Sequence, residues 1–204
     1  MMMQRTPEWF AARLGKVTAS RIADVMAELK NQGEAVTRCN YRREKVLELY
    51  SGVPQESGYS NYAMQAGIEK EAAARNAYSF ARGVDVTEVG FIDHPKIAAC
   101  GASPDGLVGE DGLIEIKCPE ASGMFEALIG SPVFDKYLKQ VQFQLACTGR
   151  KWCDLVTYRG SELPLSIMRI SRDDGLIAKI EAAVLKFNAE VNSEYQLLLR
   201  CHPK

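Results

Sequence analysis

Histidine and paired cysteine are what this 204-residue sequence has least of, and their scarcity removes several chemistries at once. Its two histidines, His94 and His202, lie in different regions, which argues against a histidine-based zinc site or a catalytic triad. Six cysteines are scattered along the chain with no Cys-x-x-Cys pair. A chain this long needs no disulfide staples, so free and mostly buried thiols are expected in place of a metal cluster. No apolar run approaches the ~20 residues that cross a bilayer. Met1-Met2-Met3-Gln4-Arg5 also lacks the apolar centre of a secretory signal. A cytoplasmic protein without a membrane partner is the expectation. Neither a glycine-rich phosphate loop nor a nucleophile elbow occurs, which disfavours a small-molecule α/β enzyme. Without repeats or low-complexity segments, residues 1–204 are expected to form a single domain.

A strong charge bias is also missing. The net charge is −1, but residues 1–45 hold nine Lys/Arg against five Asp/Glu, and the remainder sixteen against twenty-one. A basic N-terminal region on an acidic body fits a DNA track on one surface. It fits equally a solvated helix carrying Arg38, Arg42, Arg43 and Lys45.

What is present is concentrated in residues 103–117. Ser103-Pro104-Asp105-Gly106 is turn chemistry: Pro sets φ, Asp caps its own turn and Gly permits positive φ. Glu110-Asp111-Gly112 is a second turn, and Leu113-Ile114-Glu115-Ile116-Lys117 reads as a strand. Alternation puts Glu115 and Lys117 on one face and Ile114 and Ile116 on the other. Each fragment alone is more often a plain turn or a solvated strand edge. At hairpin distance, and flanked by apolar Ile97 to Ala102, they suggest charges in a buried setting, which must be paired or metal-bound. Two carboxylates and an amine suit metal-assisted phosphodiester hydrolysis, with Mg²⁺ on hard oxygen ligands and the ammonium steadying a water or phosphate charge.

Around this hairpin the patterning predicts helices over residues 41–50, 63–82 and 134–147, and a last one from Asp173/Asp174 to about Leu199. Strands are expected over 86–92, 152–158 and 165–170, and Ser51 to Asn61 reads as a loop. The sum is an α/β domain with a central mixed sheet of about five strands flanked by helices.

The sequence resembles the Pro-Asp…Glu-x-Lys nucleases of restriction-endonuclease-like fold and, more narrowly, the lambda exonuclease type of phage recombination nuclease. Four blocks carry the likeness: Trp9 to Gly15 with Thr18-Ala19-Ser20; Gly67-Ile68-Glu69-Lys70-Glu71; Ser103 to Lys117; and Gln140-Val141-Gln142. The resemblance implies a Mg²⁺-dependent exonuclease degrading one strand of linear double-stranded DNA 5′→3′ with two ions, Mn²⁺ being able to substitute. It further implies a homotrimeric ring and a single-strand annealing protein as partner. Asp105, Glu115 and the Ile116 carbonyl would ligate metal, Lys117 would assist the attacking water, and Glu71 would support the second ion or its water shell. Arg13, Ser20, Ser103 and Gln140 match the positions that hold a 5′-phosphate. Ser20 could equally cap the helix running to Ala27, and Gln140 or Glu71 could be plain surface positions. Met64 stands where the family places a strand-separating wedge. Two other functions stay open: an endonuclease of the same fold, and a non-catalytic DNA-end binding protein.

Overall fold

Thr6 accepts the Trp9 N–H and Pro7 takes the first helical position, so a hydroxyl cap and a fixed φ together start α1 (Pro7–Arg13). The computed structural model describes residues 3–28, 33–55 and 62–204, with backbone alone for 62–69, 133 and 134. After α1 come β1 (Val17–Thr18), a 3₁₀ turn (Ala19–Arg21) and α2 (Ile22–Val25). Two longer helices follow, α3 (Val36–Ser51) and α4 (Tyr62–Arg82). Gly52, at φ 71°, stops α3 in the left-handed conformation that glycine tolerates best. The helix expected from Tyr41 starts five residues earlier. Its first turns carry Arg38 and Arg42, which pair with Glu34 and with Glu190 of the C-terminal helix. Long-range ion pairs, invisible to local periodicity, extend it. Of the expected 51–61 loop, residues 56–61 lie outside the described residues.

The strands are β2 (Val86–Thr87), β3 (Ile92–Asp93), β4 (Cys100–Ala102), β5 (Gly106–Val108), β6 (Gly112–Lys117), β7 (Trp152–Thr157) and β8 (Ser166–Ser171). Five form a mixed sheet in the order β2-β5-β6-β7-β8, and three form a smaller one, β1-β4-β3. The single strand expected over 86–92 is therefore two. Val86–Thr87 pairs with β5 and Ile92–Asp93 with β4, so the chain between them crosses from one sheet to the other.

In the larger sheet β6 and β7 run parallel, and the remaining pairs are antiparallel. A parallel pair needs a crossover, supplied by α5 (Ala121–Leu128) and α6 (Leu138–Thr148). Sequence patterning missed α5 and began α6 early, where residues 132–137 form 3₁₀ turns. The chain closes with α7 (Asp174–Cys201), capped by the Asp173 carboxylate on the Leu176 N–H.

Alternation along β6 and β7 sorts the core. Leu113 and Cys153 join the large cluster built with Val141, Phe143, Leu145, Ile180, Val184 and Phe187 of α6 and α7. Ile114, Ile116 and Val156 face Ala74 and Tyr78 of α4 in a second cluster. Helices thus cover both faces of the sheet. Asp154 sits fully buried on the α4 face, satisfied by the Tyr78 hydroxyl at 2.7 Å and both arms of Arg169 at 2.8 and 2.9 Å.

The basic residues of the N-terminal region are largely engaged inside the molecule. Arg38 and Arg42 pair with glutamates, while Lys45 is buried against Glu48 at 2.8 Å. Arg38, Arg42 and Lys45 therefore answer to carboxylates of the same chain, whereas Arg43 lies on the exposed face of α3 with Asn40 and Leu47. All six cysteines are free; Cys100, Cys147 and Cys153 are buried and Cys201 is exposed.

Candidate active site

Parallel pairing with β7 and antiparallel pairing with β5 hold β6 in the sheet interior, and its C-terminal end carries the site. The hairpin closes tightly: Asp105 donates its N–H to the Ile114 carbonyl at 3.1 Å, and its Oδ2 accepts the Ile116 N–H at 2.6 Å. The turn therefore aims Asp105 at the main chain between Glu115 and Lys117.

Glu115 is 4% exposed. Its Oε1 accepts from the Lys117 ammonium at 2.7 Å and the Gln140 amide at 2.6 Å, and its Oε2 from the Gln144 amide at 2.6 Å. A carboxylate offers roughly four lone-pair directions, so one is left for a cation. Gln140 also turns its Oε1 toward Lys117 at 3.5 Å, and the Tyr137 ring lies 4.6 Å from the same ammonium.

Electrostatics match this geometry. Burial, then the charges of Glu115 and Glu71, push the Asp105 carboxyl well above the ordinary carboxylate range. The Ile116 N–H and Lys117 oppose that rise without cancelling it. Burial alone would lower the Lys117 ammonium, but Glu115, with help from Asp105 and Tyr137, holds it above the usual lysine value. The pairing with Glu115 therefore favours the charged form of Lys117. Asp105 and Glu115 crowd negative charge into a desolvated corner, which a divalent cation on hard oxygen ligands would relieve. Among the described residues no three His, Cys, Asp or Glu side chains gather closely enough to hold an ion alone. An ion here would need main-chain oxygen or water as well.

Glu71 approaches from α4 but is held by two arginines: Arg5 reaches its Oε2 at 2.5 Å and Arg75 its Oε1 at 3.2 Å. Arg75 also donates to the Asp105 carbonyl at 3.1 Å and pairs with Glu88 at 3.1 Å. Glu71 is thus tied to the Asp105 turn through Arg75.

A second cluster lies just upstream. Trp9 donates its indole N–H to Ser103 Oγ at 2.9 Å, and the Arg13 guanidinium stacks on the Trp9 ring at 4.0 Å. The parallel pairing of Thr18 with Gly101 sends Ser20 and Ser103 out of the same end of the small sheet. Ser20 Oγ is 3.3 Å from Thr18 Oγ1 and makes no helix cap, since α2 opens without a side-chain cap bond. The segment after Arg13 is anchored by Gly15, whose N–H donates to buried Glu48 at 2.8 Å. Gly15 has φ 69°, a left-handed conformation in which a residue with a Cβ is strained, and a Cβ there would also have to displace the Leu49 side chain. Met64 falls on the first turn of α4, and its side chain lies outside the described residues.

Of the anticipated residues, Asp105, Glu115, Ile116, Lys117 and Gln140 meet at the end of β6, Glu71 joins them through Arg75, and Arg13 joins Ser103 through Trp9. Gln142 turns elsewhere, bonding the Ser171 carbonyl and the Asp173 N–H. Sequence reading missed Gln144 and Arg75. Each stands four residues from a named one, Gln140 or Glu71, and i,i+4 spacing on a helix was the available signal.

The mixed sheet and this cluster define a nuclease of restriction-endonuclease-like fold. The chain belongs to the YqaJ-like viral recombinase domain family, whose model matches residues 8–151. It is similar to an alkaline exonuclease (LHK-Exo) from Laribacter hongkongensis, with 50% identity and a TM-score of 0.86 over 96% of this chain and 97% of that one. The same exonuclease in complex with dAMP matches at 51% identity and TM-score 0.86, with the same coverage. A phage-related exonuclease from Haemophilus somnus 129PT shares the fold at 19% identity and TM-score 0.68, over 88% of this chain and 96% of that one. No curated protein matches the chain in sequence. Among the described residues no helix is long and apolar enough to cross a membrane.

Proposed function

We propose that this nuclease is a Mg²⁺-dependent 5′→3′ exonuclease acting on one strand of linear double-stranded DNA, preferring a 5′-phosphate end, in phage-type recombination in the bacterial cytoplasm. The observation that carries it is the meeting of Asp105, Glu115 and Lys117 around a desolvated corner of the sheet. Asp105, Glu115 and the Ile116 carbonyl would hold a divalent ion, Mg²⁺ or Mn²⁺. Glu71 would support a second ion or its hydration. Bound there, such ions would neutralise charge on the scissile phosphate and make a water more acidic.

The chain's own residues then have distinct tasks. Lys117, kept cationic by Glu115, steadies the attacking water or the phosphate charge, and Gln140 bridges Lys117 to Glu115. Arg13 grips the terminal phosphate through its planar fork, with Ser20, Ser103 and Gln140 as further donors. Met64 would part the strands. Enzymes lower barriers by ~8–23 kcal/mol, whereas a single preorganised donor supplies ~3–4 kcal/mol. Lys117 alone is therefore insufficient, and chelation must silence the protein. The similarity to an exonuclease crystallised with dAMP supports release of mononucleotides. A homotrimeric ring and an annealing-protein partner complete the reading, on the family resemblance.

The test compares linear and closed-circular duplex in Mg²⁺ and in EDTA. Linear DNA with a 5′-phosphate should be consumed only in Mg²⁺, circles should survive, and removing the phosphate should slow the reaction. Circles cut equally fast would make the protein an endonuclease. Binding of ends without any cleavage would make it an end-binding protein. Light scattering that finds a monomer at working concentration would remove the ring.

A further inference from the structure

Two glutamines one turn apart on α6 donate to opposite oxygens of Glu115, and their situations differ. Gln140 is partly exposed and also faces Lys117, so it can trade a contact for substrate. Gln144 is 1% exposed, and its Nε2 donates to Glu115 Oε2 at 2.6 Å. Its Oε1 is buried without a hydrogen-bond partner among the described residues.

That orphaned oxygen is informative. Buried polar atoms without partners are costly and uncommon, and a leucine or methionine at this buried position would carry no such atom. Turning the amide over would set its oxygen against a carboxylate oxygen. The donor faces Glu115 because Glu115 is an acceptor there, at the expense of the carbonyl on the other side. A residue kept on terms that packing alone does not favour is serving its partner.

We infer that Gln144 is a positioning residue for divalent-cation binding: its amide locks the Glu115 carboxylate so that the remaining lone pair faces the ion position. The inference rests on the reading of Glu115 as a metal ligand. Outer groups that orient a ligand commonly change metal affinity or activity by about 10–100-fold when removed. In this low-dielectric setting a charge-assisted bond holds its geometry well.

Gln144→Met keeps length and volume but removes the donor. Mn²⁺ binding measured calorimetrically without DNA should weaken tenfold or more. On linear duplex kcat should fall by a similar factor while KM for DNA stays within twofold. Gln142→Met, also buried on α6 but bonded to Ser171 and Asp173, should lower thermal stability and leave Mn²⁺ affinity and kcat within twofold. A folded Gln144→Met protein with wild-type Mn²⁺ affinity and kcat, or one changed only in melting temperature, overturns the inference. Should that variant not fold, the wild-type protein decides by NMR: the Gln144 side-chain amide resonances should move saturably as Mg²⁺ is added, and no movement overturns the inference. Failure of the parent reading looks different, because the wild-type protein would then bind no Mn²⁺ or would cleave in EDTA.

Discussion

The indole N–H of Trp9 donates to Ser103 Oγ across 2.9 Å, tying the first helix to the loop that leads into Asp105. The same ring carries the Arg13 guanidinium on its face. Trp9→Phe keeps an aromatic face under Arg13 but deletes the donor and part of a buried ring. It should cost about 1–3 kcal/mol of stability and reduce the preference for 5′-phosphorylated ends severalfold. Denaturant melts and paired assays on phosphorylated and dephosphorylated duplex check both outcomes; an unchanged preference would detach Trp9 from end selection.

Lys117 is held as a cation by Glu115 at 2.7 Å. Lys117→Ala should lower kcat by about 10²–10³-fold while duplex ends still bind in Ca²⁺. Lys117→Arg should not restore the rate, because a planar fork cannot occupy the place of a compact ammonium. Single-turnover cleavage beside a binding assay separates the two effects.

Asp105 makes a case where function opposes stability. Its raised carboxyl pKa means that the folded, metal-free protein holds this proton more tightly than the unfolded chain does. Stability without metal should therefore fall as pH climbs from the ordinary carboxylate range through the raised folded value. Asp105→Asn removes that decline, can still accept the Ile116 N–H, and should abolish cleavage. Melts in EDTA should show the variant more stable than wild type near neutral pH, by about 2–4 °C per kcal/mol relieved. Saturating Mg²⁺ should reverse the order.

Asp154 behaves in the opposite sense. Burial opposes its ionisation, but hydrogen bonds from Arg169 and Tyr78 outweigh that and hold its pKa below the ordinary value. Its contribution is complete above the ordinary carboxylate range and is lost as pH falls through the depressed folded value. Tyr78→Phe should cost about 1–3 kcal/mol and make the acid limb of stability shallower. Urea midpoints between about pH 3 and pH 7 measure both.

The Glu115–Lys117 pairing was legible because alternation along a strand is a local rule, and β6 obeys it. Pro-Asp-Gly marked the bend but not its geometry: Gly106 enters β5 without a positive φ, and the Asp105 carboxylate accepts the Ile116 N–H of the neighbouring strand and does not cap its own turn. Helix α4 and the capped start of α7 also announced themselves, within a residue or two. The strand expected over 86–92 failed because β-propensity is shared by a continuous strand and by two short ones serving different sheets. Only partners distant in sequence tell those apart.

Sequence alone determined the residue types of the centre and the fold class, because turn chemistry and strand alternation act over a few residues. Tertiary structure decided what each charge answers to. It brought Gln144 onto Glu115 from 29 positions away, gave Glu71 to Arg5 and Arg75, and paired the basic helix with α7. Those outcomes depend on which surfaces lose water together, and desolvation is a property of the packed molecule rather than of any local stretch of chain.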